Sequence, residues 1–592
     1  GYEFAGWSDG VTTATRQELN VQANITVTAN FTVIKPEYTI TYTADENGRI
    51  DGETSQTVRQ GSDGQSVTAV PDDGYEFAGW SDGVTTATRQ EVNVQANITV
   101  TANFAVKEPE NTVEFSGGTG HIGNPYKITN IEQLKNVEKY GSSAFILLND
   151  LEFPIAEEGA TNFKPLFNDE NHFNGVFEGN GKTIFNITMR NDETFFTGLF
   201  AYIGADGVVK NLKLNNMTVS GTNYIGGVCG YNLGSITNCE VSVNISYIKA
   251  NDYKVYVGGI VGRSNGCLDN NVSYGTITIE DISAENYVGG LTGRFEGSIV
   301  KGANSSLNCI VSGNNNSYIG GLIGSFYGSI TTDCYATGSV TATVSGYNVN
   351  AGGLIGGFYG SITTDCYATG SVTVSGYNVN AGGLIGSFSG GSSITDCYAT
   401  GSVTVSGNSS VYAGGLCGDS NATMTDCYAT GSVSVSGYYA YAGGLIGRSY
   451  GSITDCYATG SVTATVTGSE WEAFCMGGLI GEMSEGTVRN SFSLSIVKGN
   501  GMKGAIAGYA KSNSSFTNVH WLVNEESDAV YAVGYDENLG IPTNTGTIKH
   551  TDVIDFYTLA DTLNEGREEA VWENKDNSSL PTLIKKNKNK GE

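Results

Sequence analysis

The residue types that could do repeated chemistry in this chain are cysteines at a fixed interval: Cys334, Cys366, Cys397, Cys427 and Cys456 each sit in the same Asp-Cys-Tyr-Ala-Thr-Gly-Ser context, and Cys239 occupies the equivalent place further upstream. Thiols in such a row could bridge, bind metal or attack a substrate. No CxxC pair and no Cys/His cluster accompanies them, so the spacing does not read as a metal site. If the repeats stack like strands of a sheet, neighbouring Cα atoms lie about 4.8 Å apart, within disulfide range. Parallel Cβ vectors would keep the Cβ atoms at that same separation, wider than the roughly 3.8 Å a bridge prefers. The expectation is a reduced ladder facing inward, in which cysteine acts as a small hydrophobe. Asn271 and Ser491 take the same place in other repeats, so the slot does not require sulfur. The total of eleven cysteines is odd, which leaves at least one unpaired within the chain.

Either side of the thiol stand Asp333, Asp365, Asp396, Asp426 and Asp455, and Tyr335, Tyr367, Tyr398, Tyr428 and Tyr457. A file of carboxylates at strand spacing repels itself. Asn238 and Asn490 replace the aspartate elsewhere, so the expectation is that a shared side-chain oxygen makes a turn-like hydrogen bond; a file of bound cations is the alternative. The tyrosine file either stacks along the repeat axis or offers flat surfaces to sugar rings. Segments between repeats add Tyr347, Tyr377, Tyr412, Tyr438, Tyr439, Tyr441 and Trp471. Rigid amphipathic side chains on loops suit a binding surface, and these aromatics together are the candidate ligand-binding residues.

Enzyme chemistry is not expected. The four histidines, His121, His172, His520 and His550, are dispersed and form no HExxH, and neither GxSxG nor a P-loop occurs. A β-helical polysaccharide enzyme would need a local cluster that breaks the repeat. The nearest departure is Glu470, Trp471 and Glu472 in the longest inter-repeat interval. No cofactor is called for. The stretch from Asp45 to Gly52 has a calcium-loop look but lacks EF-hand spacing and its terminal Glu, so a hairpin turn is expected there.

The elements that position these residues follow from composition and period. Glycine makes up 82 of 592 residues, about 14 %, twice the usual share of roughly 7 %. A GGLIG-like marker begins at Gly226, Gly258, Gly289, Gly320, Gly352, Gly382, Gly414, Gly443 and Gly477, with a degenerate GAIAG at Gly504, at intervals of 27 to 34 residues. Units this short cannot bury a core alone and must stack. No helical period appears, and alternation puts Cys366 and Ala368 on one face with Asp365, Tyr367 and Thr369 on the other. The predicted fold is all-β: a right-handed parallel β-helix, a solenoid of about ten coils and on the order of 50 Å long, with short helical caps. Asn130 is placed to N-cap an entry helix whose face is Ile131, Leu134 and Val137. Phe556, Leu559 and Leu563 recur at helical spacing, so a second helix with adjoining strands should close the far end.

The first 33 residues return almost unchanged from Gly74, differing only at Leu19 versus Val92 and Thr32 versus Ala105. In NVQANITVTANF, Val94, Ala96, Ile98, Val100 and Ala102 alternate onto one face. The GYEFAGWSDG…ITVTANF signature resembles the internalin-B-type B repeat of bacterial surface proteins, which implies small β-grasp-like modules in tandem; in so small a module Trp7 and Trp80 are expected in the core, ligand platforms being the alternative. The GG-Leu-hydrophobic-Gly markers resemble the GLUG motif. That resemblance implies a secreted or surface-anchored β-helix of adhesin-like character; the motif also accompanies some IgA-cleaving metallopeptidases, whose HExxH is absent here. The expected organisation is 1–34, the C-terminal half of a truncated B repeat; 35–107, a complete one; 108–197, an entry cap with first coils; 198–510, the GLUG solenoid; and 511–592, a C-terminal cap with a basic tail. SLPTL near the end is not a sortase signal, because its fourth residue is Leu583.

Function expected on these grounds is a non-enzymatic bacterial surface protein that binds glycans or proteins of host or neighbouring cells, with a passive stalk as the alternative and a carbohydrate-active enzyme the more distant one. A net charge of −29 repels phosphate backbones and anionic lipid, so nucleic acid and membrane are not expected partners. The only cationic run is Lys585, Lys586, Lys588 and Lys590, a solvated tail. The chain opens GYEF without an initiator Met, a signal peptide or an apolar run of spanning length, so it reads as an excised, secreted piece of a monomer whose leader and anchor lie elsewhere.

Overall fold

The computed structural model describes residues 1–106, 114–248, 254–466 apart from 298, 329, 361 and 392, and 474–522, and, between 526 and 583, all but 530, 538–540, 544–547, 552–555, 566, 568 and 574–580. The chain divides into two compact units, Gly1–Glu110 and Asn111–Glu592.

In the first unit the complete module places Glu37–Ala44 and Ile98–Val106 side by side and parallel at the centre of a four-stranded sheet. Ser55–Arg59 and Tyr75–Trp80 flank them antiparallel. A second sheet joins Gly48–Asp51, Val67–Pro71 and Thr88–Arg89. Between them lies a small core of Ile40, Tyr42, Val67, Trp80, Val100 and Phe104. Trp80 is buried in it, and its indole N–H donates to the Thr86 carbonyl at 3.0 Å. The shorter copy keeps the Tyr2–Trp7 and Ala29–Val33 pair, with Trp7 half-buried under Arg16.

Two local expectations change here. The alternating strand starts only at Ile98, because Asn93 adopts a left-handed φ of 50° and Ala96 is left exposed. The Asp45–Asn47 turn is present, but the strands either side of it enter different sheets and do not form a hairpin. Both Asp45 carboxylate oxygens accept backbone N–H groups, from Asn47 at 3.0 Å and from Phe104 at 2.8 Å.

The second unit is a parallel β-solenoid of about 12 turns with very little helix. The count exceeds that of the GG markers because the chain already winds before Gly226: Ala144–Leu147 pairs with Val176–Glu178, and Phe200–Ile203 with Cys229–Asn232. Each regular coil carries five short strands. In the coil around Gly382 these are Asn378–Gly382 and Ile385–Phe388 on one sheet, then Ser393–Thr395, Tyr398–Ala399 and Val403–Gly407 on the other. Every strand pairs in parallel with its counterpart one coil away. Strict register stacks like on like, so the interior is a set of columns: Val379, Leu384, Ile385, Phe388, Cys397 and Val403 are all buried.

The glycines let coils approach this closely. A Cβ on Gly353 would lie 2.0 Å from the Gly383 carbonyl oxygen, and one on Gly370 would lie 1.9 Å from that of Gly338. Both collisions are with backbone of a neighbouring coil, which has no room to give.

At the entry, Asn130 Oδ1 accepts the Gln133 N–H at 3.0 Å and caps helix α1 (Ile131–Asn136), burying Leu134 and Val137. Helix α2 (Phe556–Leu563) packs through Ala560 and Leu563, together with Trp572, against Tyr457 and Phe492. It therefore lies on the tyrosine-bearing flank of the last coils.

Candidate functional site

The cysteine column sits just inside the corner between two strands. All eleven cysteines are free thiols, ten buried and only Cys267 exposed. Burial is the main cause that pushes up the thiols of Cys239, to about 12, and of Cys334, Cys366 and Cys456, with neighbouring thiols adding to it in the latter three. Each Sγ donates to the carbonyl two residues back: Cys334 to Thr332, Cys366 to Thr364 and Cys397 to Thr395, all at 3.1 Å. Ser491 fills the slot in the same way, donating to Arg489 O at 2.7 Å, while Asn271 donates instead to Ile236 O of the preceding coil at 2.8 Å. The small-hydrophobe reading is thus incomplete, since the slot suits a small side chain that also donates a hydrogen bond.

The aspartate column has a different cause from the one expected. Asn238, Asn270, Gly302, Asp333, Asp365, Asp396, Asp426, Asp455 and Asn490 all have φ between 47° and 60°. This is the left-handed region, which Asn, Asp and Gly enter at least cost. Gly302 in the file has no side-chain oxygen, so backbone conformation and not a shared oxygen sets the residue type. The last carboxylate, Asp455, is buried beneath the C-terminal segment, where Arg567 pairs with it and Trp572 Nε1 donates to it at 3.1 Å. No group of His, Cys, Asp and Glu that could hold a metal occurs among the described residues.

Beside it, Tyr335, Tyr367, Tyr398, Tyr428, Tyr457 and Phe492 form one continuous stack, with ring centroids 4.8 to 4.9 Å apart and planes within 6° of parallel. Trp572 closes it, 5.5 Å from Phe492. Each inner ring has a neighbour on both faces, so solvent meets chiefly the edges and phenol hydroxyls. This column is consequently a poor platform for stacking a sugar, and its burial pushes the Tyr428 phenol up to about 12.

A second aromatic column lies on the opposite sheet, and of its members only Tyr412 and Tyr441 are among the candidate ligand-binding aromatics. Phe196, Tyr224, Tyr256, Tyr287 and Tyr318 stack at 4.8 to 5.0 Å. Asn350 and Asn380 continue the register, and Tyr412 and Tyr441 resume the stack at 5.1 Å. Tyr412, Tyr439 and Tyr441, expected on loops, are thus strand residues, because the inter-repeat segment itself pairs in register. The signal was available: the aromatic of each NYVGG, SYIGG or VYAGG run precedes the glycine pair by two residues. Guanidinium groups lie over these rings, Arg448 3.9 Å from Tyr412 and Arg294 5.4 Å from Tyr287. Each is also paired with a carboxylate, Arg448 with Asp419 and Arg294 with Glu296.

Tyr347, Tyr377 and Tyr438 do occupy corners between strands. Tyr347 is 74 % exposed and Tyr377 43 %, meeting edge to face at 5.8 Å. Tyr438 meets Tyr439 in the same way at 4.8 Å. Glu470, Trp471 and Glu472 lie outside the described residues, as does the lysine run of the tail.

Residues 1–35 and 38–108 match the family model described as the divergent InlB B-repeat domain, and 221–246, 315–341, 377–404 and 438–463 match that of the GLUG motif. The chain carries divergent B repeats followed by GLUG repeats. Halomucin of Haloquadratum walsbyi is 31 % identical over 250 residues, 38 % of this chain and 3 % of that protein. A "Putative Gly-rich membrane protein" of Evansella cellulosilytica is 33 % identical over 135 residues, 22 % of this chain and 16 % of that protein. The chain thus spans only a small part of either relative. A crystal structure described as a "putative immunoglobulin A1 protease" from Bacteroides ovatus aligns over 79 % of this chain and 95 % of its own at 17 % identity, with a TM-score of 0.18 that supports no structural argument. Among the described residues no helix is long and apolar enough to cross a membrane.

Proposed function

We propose that this chain is the exported, non-enzymatic part of a cell-surface adhesin-like protein, whose solenoid presents a repeated surface to glycans or to proteins of host or neighbouring cells. Both repeat families and two relatives named as a halomucin and a membrane protein support a place at the cell surface. The observation that carries the binding reading is the exposure of Tyr347, Tyr377 and Tyr438 at corners of an in-register scaffold, with Tyr439 exposed at the start of the strand that follows Tyr438. Rigid aromatics held out at fixed spacing lose little entropy on binding. The test is retention of the labelled full chain on a glycan array, on immobilised mucin and on intact cells. Background signal on all three refutes the reading.

A passive spacer is the second reading, and the ladders favour it. Stacked rings satisfy one another, and Arg263, Arg294 and Arg448 are already paired. It expects the chain to bind nothing by itself, whatever its coil number.

A further inference from the structure

The aromatic column of the second sheet is broken once, where Asn350 and Asn380 stand between Tyr318 and Tyr412. These coils repeat the same Tyr-Asn-Val-Asn run, so Asn348 and Asn378 lie one strand position pair away, with Tyr347 and Tyr377 at the corner. The amides form two short ladders: Asn380 Nδ2 donates to Asn350 Oδ1 at 2.8 Å, and Asn378 Nδ2 to Asn348 Oδ1 at 3.3 Å. Asn350 is buried and braces Asn380 from beneath, whereas Asn348 is exposed and Asn378 and Asn380 are half-buried, so the amides with donor or acceptor capacity open to a ligand are these three.

The surroundings are neutral. The adjoining column carries Arg294 before this window and Asp419 and Arg448 after it, but within it only Gly357 and the buried Ser325 and Ser387, with the Tyr318 and Tyr359 rings lying beside Gly357.

Neutral amides that both donate and accept, held on a flat rigid sheet and bordered by tyrosine rings, match a sugar, whose hydroxyls do both and whose C–H face packs on aromatics. We infer that the paired Tyr-Asn-Val-Asn coils form a binding patch for a neutral pyranose oligosaccharide. Two coil steps cover about 10 Å, room for two sugar rings. This rests on the glycan side of the proposed function and deepens it by naming site and ligand class.

The test compares three forms of the full chain on an array of neutral, sialylated and sulfated oligosaccharides. The N350Y/N380Y variant continues the aromatic column across the gap, as it runs elsewhere, and should keep the solenoid's circular dichroism. The Y347A/Y377A variant alters only exposed corners and serves if the first fails to fold. The expected result is retention of neutral oligosaccharides by the natural chain and at least tenfold weaker retention by both variants. Neutral-glycan retention unchanged in the variants overturns the patch and leaves glycan binding standing. Retention of charged glycans only overturns the patch likewise. No retention of any glycan by the natural chain overturns both.

Discussion

Replacing Asp333, Asp365, Asp396 and Asp426 together by alanine, by glycine or by asparagine separates backbone from side chain at the solenoid corner. All four have φ between 53° and 56°. Alanine there costs roughly 1–2 kcal/mol per site, about 4–8 kcal/mol for the set. Glycine carries no such strain but gives the unfolded chain more freedom, about 0.5–1 kcal/mol per site or about 2–4 kcal/mol in all. Both sets remove the same four charges and the same bond from Thr364 Oγ1 to Asp365 Oδ2, 3.2 Å long, so those effects cancel in the comparison. The glycine set should therefore be more stable than the alanine set by about 3 kcal/mol, the difference between the middles of the two ranges. The asparagine set should match or exceed the natural chain, because it tolerates the same φ and relieves like-charge repulsion. Guanidinium unfolding followed by far-ultraviolet circular dichroism reads the order, and hydrogen exchange of the corner amides localises it. Glycine and alanine sets of equal stability, with asparagine alone intact, would refute the backbone account and restore the side-chain oxygen.

Thiol titration of the native chain should count one reactive group, Cys267, and denaturation without reductant should release all eleven; two or fewer on denaturation would mean bridged pairs. Gly353→Ala forces a Cβ to 2.0 Å from a carbonyl oxygen and should cost at least 1–3 kcal/mol. Gly123→Ala, with nothing within 4 Å of its Cβ, should stay within about 0.5 kcal/mol of the natural chain, and thermal melts compare the two. Burial raises the Tyr428 phenol from 10 to about 12, so the folded chain holds a proton that the unfolded chain gives up between those values. Its contribution to stability is therefore constant below pH 10 and falls as pH rises toward about 12, a decline that unfolding curves across that range should follow alongside tyrosinate absorbance.

The solenoid was legible because its inward residues repeat. Cys366 and Ala368 alternate with Tyr367 as a strand must, and the GG pair recurs wherever two coils touch backbone to backbone. The entry helix was legible from Asn130 and its apolar spacing. The left-handed corner was hidden behind chemistry: Asp suggested charge, and only the φ of Gly302 in the same column shows that conformation chooses the residue. The second aromatic column was legible in the constant two-residue offset of Tyr256, Tyr287 and Tyr318 before the glycine pair, but Asn350 and Asn380 at the same offset break the pattern in the two most alike coils. Ring orientation was beyond reach as well, since residue type does not say whether a tyrosine turns its face or its edge to solvent.

The coils that begin at Gly352 and Gly382 share most of their residues, and each makes the same joints above and below. A coil gained or lost by slippage between such copies in the gene leaves every remaining joint as it was. Coil number is thus a heritable variable that can change in single steps without a new sequence having to be tried, and lineages of the same cell can differ in it while folding by the same rules.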